Sequence, residues 1–200
     1  MTLGAERSRR VAGLAAAALL AACTSAPPRS GLVTGQPVPD AFELSGRIAV
    51  RHAGDGYSGQ LRWRHVAAQD RVELFSPMGT FYARLARGEA GATLQTADGK
   101  LFEAEDAGAL ARQVLGWDLP FESLRYWVFA QAAPLGAPAR LDAGPQGRPA
   151  VLEQDGWRVT YLEYAGRGAS GLPSRMDLDA EGLKVRLIVS DWREPDAGSP

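Results

Sequence analysis

Few side chains in this 200-residue chain are of types that carry out covalent chemistry, and their spacing narrows what they can do. There is one cysteine, Cys23, and there are two histidines, His52 and His65. Neither histidine stands in a ligand spacing such as H-E-x-x-H, and Cys23 has no partner for a C-x-x-C pair, so no metal and no cofactor is expected. Ser76, His65 and Asp70 are the residue types of a hydrolytic triad. However, Ser76 lacks the G-x-S-x-G turn and reads as a turn serine before Pro77. Glu153, Asp155 and Glu163 flank a hairpin and read as solvated charges, and Gly88-Glu89-Ala90-Gly91 is a hairpin turn that does not match a phosphate loop. No enzyme is expected. The thiol is what remains.

Cys23 follows Arg7, Arg9 and Arg10 and an apolar run from Val11 to Ala22. That is the layout of a secretory leader, a positive stretch and a short apolar stretch ending in small residues. The run is too short to cross a ~30 Å hydrocarbon layer as a helix. Leu20-Ala21-Ala22-Cys23 resembles the bacterial lipobox, in which the thiol is acylated and the preceding peptide is removed. A lone cysteine in an exported protein has no intramolecular disulfide to make, and lipidation gives it a use. Several buried acyl chains would make a lasting anchor, since each methylene contributes ~0.8 kcal/mol. Thr24, not Asp, follows the cysteine, which points to the periplasmic face of the outer membrane.

The formal net charge is −1, and nothing in it suggests a nucleic-acid partner. Residues 1–22 are expected to be leader, and 23–40 a lipidated cysteine with a linker containing Pro27, Pro28, Pro37 and Pro39. A domain follows over 41–193, then a short tail over 194–200.

Period-two alternation begins at Phe42, where Phe42, Leu44, Ile48 and Val50 share one face and Glu43, Ser45, Arg47 and Arg51 the other. Tyr57, Gly59, Leu61 and Trp63 continue it after a turn at Ala53–Gly56, and Val72 and Leu74 follow a second turn near Ala68–Asp70. Three further short strands around Phe81–Leu85, Ala92–Thr96 and Lys100–Glu103 complete a meander of six. The period then changes. Ala107, Leu110, Ala111 and Val114 recur at helical spacing up to Gly116, and Asp118-Leu119-Pro120 opens a second helix with Phe121, Leu124, Trp127 and Val128 as its stripe. Residues Gln131–Pro149 read as loop with a short strand at Ala139–Asp142, and about four more strands end at Trp192. The expected class is α+β: a curved antiparallel sheet forming an incomplete barrel with helices on one side. Alternation does not say whether its concave side is filled or hollow.

One turn resists a purely structural explanation. Ser76-Pro77-Met78-Gly79 has Pro and Gly where a type I turn takes them, which puts Met78 at the tip between Phe75 and Phe81. Met78 either folds back onto the domain or meets lipid or acyl chains, a use that suits a soft side chain.

Taken together, these segments resemble the LolB family of outer-membrane lipoprotein receptors. The matching pieces include Phe42–Val50, Gly59–Trp63, Leu74–Gly79, Leu115–Pro120, Leu124–Trp127, Trp157–Tyr161 and Leu187–Trp192. The resemblance implies an open barrel lidded by helices, with an apolar cavity for acyl chains. It implies a monomer that accepts acylated lipoproteins from a periplasmic carrier of the LolA type and incorporates them into the outer membrane. It also implies a membrane-insertion loop at Pro77, Met78 and Gly79, with Met78 where Leu is common. Leu61, Trp63, Leu74, Leu85, Trp117, Trp127 and Tyr161 are the acyl-cavity candidates, chosen by face. Ala130 stands where the family usually has Gly. The alternative is a structural lipoprotein that scaffolds an envelope complex, which would have a filled interior.

Overall fold

A computed structural model describes residues 37–116, 119–166 and 171–195. Cys23, Trp117 and the tail beyond 195 lie outside the described residues. The first meander is β1 (Ala41–His52), β2 (Asp55–Val66), β3 (Gln69–Phe75), β4 (Phe81–Gly88), β5 (Gly91–Thr96) and β6 (Leu101–Ala104). Helices α1 (Ala107–Leu115) and α2 (Phe121–Trp127) follow. The chain then makes β7 (Arg140–Ala143), β8 (Pro149–Gln154), β9 (Trp157–Ala165), β10 (Leu172–Ala180) and β11 (Leu183–Arg193). Five strands follow the helices, the short one expected at Ala139–Asp142 and four more. The short one is β7, displaced by one residue from its expected position within a Pro- and Gly-rich stretch.

All eleven strands form one antiparallel sheet in the order β6-β5-β4-β3-β2-β1-β11-β10-β9-β8-β7. β1 and β11 pair at its centre, and β6 and β7 are its two edges. The chain leaves one edge, passes through both helices and rejoins the sheet at the other edge. β1 and β2 pair in unbroken register from Ala41↔Val66 to His52↔Asp55. The turn after β2 is Ala67–Ala68, so Asp70 lies within β3 and not in the turn. Ser190 is the extra residue of a bulge between β11 and β1, beside Gly46.

Helix ends follow the local chemistry. Asp106 caps α1 by accepting the Ala109 N–H at 2.7 Å, and Gly116 ends it in the left-handed region at φ 78°. Beyond α2, the Gln131 N–H donates to Tyr126 O and the Ala130 N–H to Trp127 O, the paired bonds of a Schellman ending. Its left-handed residue is Ala130, at φ 57°.

The end of α2 is anchored to the second half of the sheet. The Trp127 ring packs on Trp157 with centroids 6.0 Å apart. Its Nε1 donates to Gln154 Oε1 at 3.0 Å, and the Tyr161 hydroxyl donates to Trp127 O at 2.8 Å. Phe129 lies against Phe42 and Trp192 at 5.1 and 4.9 Å. The concave face around Trp127 and Phe129 is solid core. At the other edge α1 packs against β5 and β6, and a hollow remains over the strands between.

Candidate functional site: an apolar cavity and its mouth

Between the helices and the concave face of the sheet lies a cavity of about 800 Å³, mainly over the first half but reached from the other by Trp157, Leu178, Val185 and Leu187. Its volume is within the ~300–1,000 Å³ typical of ligand sites. Leu61, Trp63, Leu74 and Leu85 line it from the sheet, with Ile48 and Val50 beside them. Leu110, Val114, Leu119, Phe121 and Leu124 line it from α1, α2 and their connection. Two of the residues chosen by face do not belong to it. Trp127 and Tyr161 point to the concave side, but they pack against each other's elements in the filled region at the end of α2, where Gln154 and a backbone carbonyl satisfy their polar atoms. Strand alternation gives a side chain's face but not whether a helix lies directly on it.

One end of the cavity lies beside a buried polar cluster. Asp70, only 3% exposed, accepts from Trp63 Nε1 and His65 Nδ1 on one oxygen, each at 2.8 Å. Its other oxygen accepts from Arg87 Nε at 2.8 Å. Arg87 also pairs with Glu122 of α2, and its guanidinium lies 5.9 Å from the Phe121 ring centre. Burial works against ionising Asp70, but the hydrogen bonds from His65, Trp63 and Arg87 outweigh it and hold the carboxyl below its usual value. His65 and Asp70 thus meet, as a triad would require. Ser76 lies at the far end of β3, roughly 20 Å of strand from Asp70, and its Oγ accepts the Thr80 N–H. The cluster is structural, and it orients the Trp63 ring in the cavity wall.

The other end is the mouth. Tyr57, Tyr82, His52, Asp55, Thr96 and Asp98 line the cavity where β1–β2 and β5–β6 turn. The Tyr57 and Tyr82 rings lie 4.7 Å apart, and the Tyr57 hydroxyl donates to Phe75 O at 2.8 Å. Gly59 makes room for this arrangement, because a Cβ there would stand 2.3 Å from the Tyr57 oxygen. Burial first, then Tyr82, push the Tyr57 phenol above its usual pKa, so it stays a donor at neutral pH.

The loop between β3 and β4 projects from this same end. The Gly79 N–H donates to Ser76 O at 2.9 Å, and the Ser76 N–H to Thr80 O at 2.8 Å. Gly79 sits at φ 85°, where a side chain would be strained. Met78, between Pro77 and Gly79, is 91% exposed. It does not fold back. The loop is a fixed turn that presents a thioether to the outside. Sequence reasoning missed Asp70, Arg87 and Phe121 as parts of the site. Asp70, an acidic residue at an inward-facing position of β3, was the available signal.

The family model described as "Outer membrane lipoprotein LolB" matches residues 40–192. Among curated relatives, "Outer-membrane lipoprotein LolB" of Azoarcus sp. is 41% identical over 88% of this chain and 91% of its own length. The protein of the same name from Thiobacillus denitrificans is 36% identical over 92% and 98%. Two solved structures share the fold at low identity. A LolA superfamily protein from Nitrosomonas europaea has a TM-score of 0.50 at 10% identity, over 80% of this chain and 88% of its own. A putative outer membrane lipoprotein-sorting protein domain from Vibrio parahaemolyticus has a TM-score of 0.51 at 12% identity, over 80% and 87%. With a family model spanning the whole sheet, and relatives above 35% identity along nearly their full lengths, this chain belongs to the LolB family of outer-membrane lipoproteins.

Proposed function

We propose that this chain is an outer-membrane lipoprotein receptor, which takes acylated lipoproteins from a LolA-type periplasmic carrier and incorporates them into the outer membrane. One observation carries the reading: an apolar cavity of about 800 Å³ between sheet and helices, with its polar edge confined to one end. Acyl chains entering it leave water for apolar surface, worth ~25 cal/mol per Å² buried. Leu61, Trp63, Leu74 and Leu85 are the wall they would meet. No covalent step is required, because cargo moves downhill from carrier to receptor to bilayer.

Pro77, Met78 and Gly79 form the loop that delivers the cargo, with Met78 entering lipid ahead of it. Cys23 carries the lipid that anchors the receptor, which acts as a monomer facing the periplasm. A scaffolding role would need no such cavity. The decisive experiment mixes acyl-loaded carrier with residues 24–200 of this chain and separates the two. Cargo recovered on this chain supports the reading, and cargo left on the carrier overturns it.

A further inference from the structure

Six large apolar side chains are exposed among the described residues: Val66, Met78, Tyr82, Leu101, Leu135 and Leu162. Four of them gather at the mouth end of the sheet. Met78 is on the β3–β4 loop and Tyr82 just inside it, while Leu101 opens β6 after the β5–β6 turn. Leu135 belongs to the segment before β7. That segment is built onto the β8–β9 turn, Asp155–Gly156, which lies at the same end of the sheet.

The Leu135 loop is held as firmly as the Met78 loop. Buried Gln154 accepts the Ala133 N–H at 2.9 Å and donates to Ala133 O and Ala137 O at 2.9 and 3.1 Å. Asp155 accepts the Ala137 N–H at 2.8 Å, so it is a clamp and not merely a solvated charge. Gly136 passes so close that a Cβ would stand 2.5 Å from Asp155 Oδ2. All this bonding presents Leu135 at the apex, 80% exposed. Two rigid turns on opposite halves of the sheet therefore carry bare apolar tips at one end of the molecule.

We propose that Leu135 is a second membrane-contact point, which dips with Met78 into the bilayer and seats the cavity mouth on its surface. This rests on the receptor reading above. The occupant follows from how the tips are arranged. They stand on separate turns, and in the strand order the β1–β2 turn with Asp55 and the β10–β11 turn with Glu181 come between the Met78 and Leu135 loops, so the two tips form no contiguous apolar patch for a protein partner. A lipid surface accepts scattered tips without shape complementarity. The anchor permits this orientation. β1 starts at the opposite end of the sheet, beside the β2–β3 turn, and its twelve residues extend for about 40 Å. Residues 24–40 reach up to about 60 Å when extended, enough to let the mouth end turn back to the bilayer that holds Cys23.

The test uses the mature lipid-anchored protein in vesicles of phosphatidylethanolamine and phosphatidylglycerol. An environment-sensitive fluorophore is attached in turn at Leu135→Cys, Met78→Cys and Ala90→Cys, the last on the β4–β5 turn at the far end. Blue-shifted emission and quenching by spin-labelled lipid at 135 and 78, but not at 90, is the expected result. Lipid contact at 78 with water-like emission at 135 overturns this proposal and leaves the receptor reading standing. Water-like emission at both positions overturns the proposal and the delivery role of the Met78 loop together. A change at 135 only on adding the periplasmic carrier overturns the proposal, because the occupant is then a protein. In parallel, Leu135→Glu should lower lipoprotein incorporation at least about tenfold, the equilibrium weight of one buried leucine. Transfer from the carrier to the receptor should stay unchanged.

Discussion

Trp63 donates its indole N–H to Asp70 at 2.8 Å, so a cavity-wall ring is oriented by a buried carboxylate that also binds Arg87 and, through it, the lid helix. Packing at this site cannot be separated from charge. The groups facing Asp70 are Trp63 and His65 from β2 and Arg87 from β4, with Glu122 of α2 behind Arg87.

Asp70→Ala should therefore destabilise the domain by about 3–5 kcal/mol, because it leaves Arg87 and His65 without their buried acceptor. Chemical denaturation at neutral pH measures this. The folded-state pKa of Asp70 is depressed, so its stabilising contribution is present above the ordinary carboxylate range. That contribution is lost as pH falls through the lowered folded value. The loss of stability as pH falls below about 4, toward the lowered folded value, should accordingly be shallower in Asp70→Ala than in the parent.

Met78→Glu should leave the thermal midpoint unchanged, since the side chain touches little of the domain. Incorporation of lipoprotein into vesicles should fall at least about tenfold, because an acidic side chain is costly in the hydrocarbon layer. Met78→Leu, which nearly conserves volume and polarity, should retain incorporation. Equal incorporation by Met78→Glu and the parent would remove the loop from the delivery step.

Leu85→Trp should weaken binding of a fluorescent fatty acid by occupying the cavity from its sheet wall. Because the cavity has room, stability should change by less than about 1.5 kcal/mol. Leu162→Trp, on the outer face of β9, serves as the control and should bind the probe as the parent does.

Ala130→Gly should stabilise the fold by up to about 1 kcal/mol. A left-handed L-residue costs ~1–2 kcal/mol, and part of the gain is offset by the backbone entropy of glycine. Calorimetry would show a midpoint higher by about 2–4 °C. A lower midpoint would mean that the Ala130 methyl, which is buried, contributes more than the strain removes.

Much of the architecture was legible along the chain. Alternation from Phe42 to Trp63 reports strands with one wet face, and the change of period after Glu105 reports the helices. Pro77 and Gly79 report a turn whose tip must be Met78. Those are local properties, written in which neighbours are apolar and which backbone angles a residue tolerates. The order of short segments also carried the family. What the chain could not express locally is distance between elements. Trp63 and Trp127 read alike in sequence, each an aromatic on an apolar face. Only the packing of α2 on Trp157 and Gln154 makes Trp127 solid core, while Trp63 faces a cavity. Likewise Leu135 reads as an ordinary loop residue until Gln154 and Asp155, about twenty positions away, fix it at the mouth beside a turn from the other half of the sheet. Faces follow from the backbone repeat of each element alone. Whether a face is covered depends on where a helix from elsewhere comes to rest, and that is decided by the sum of tertiary contacts.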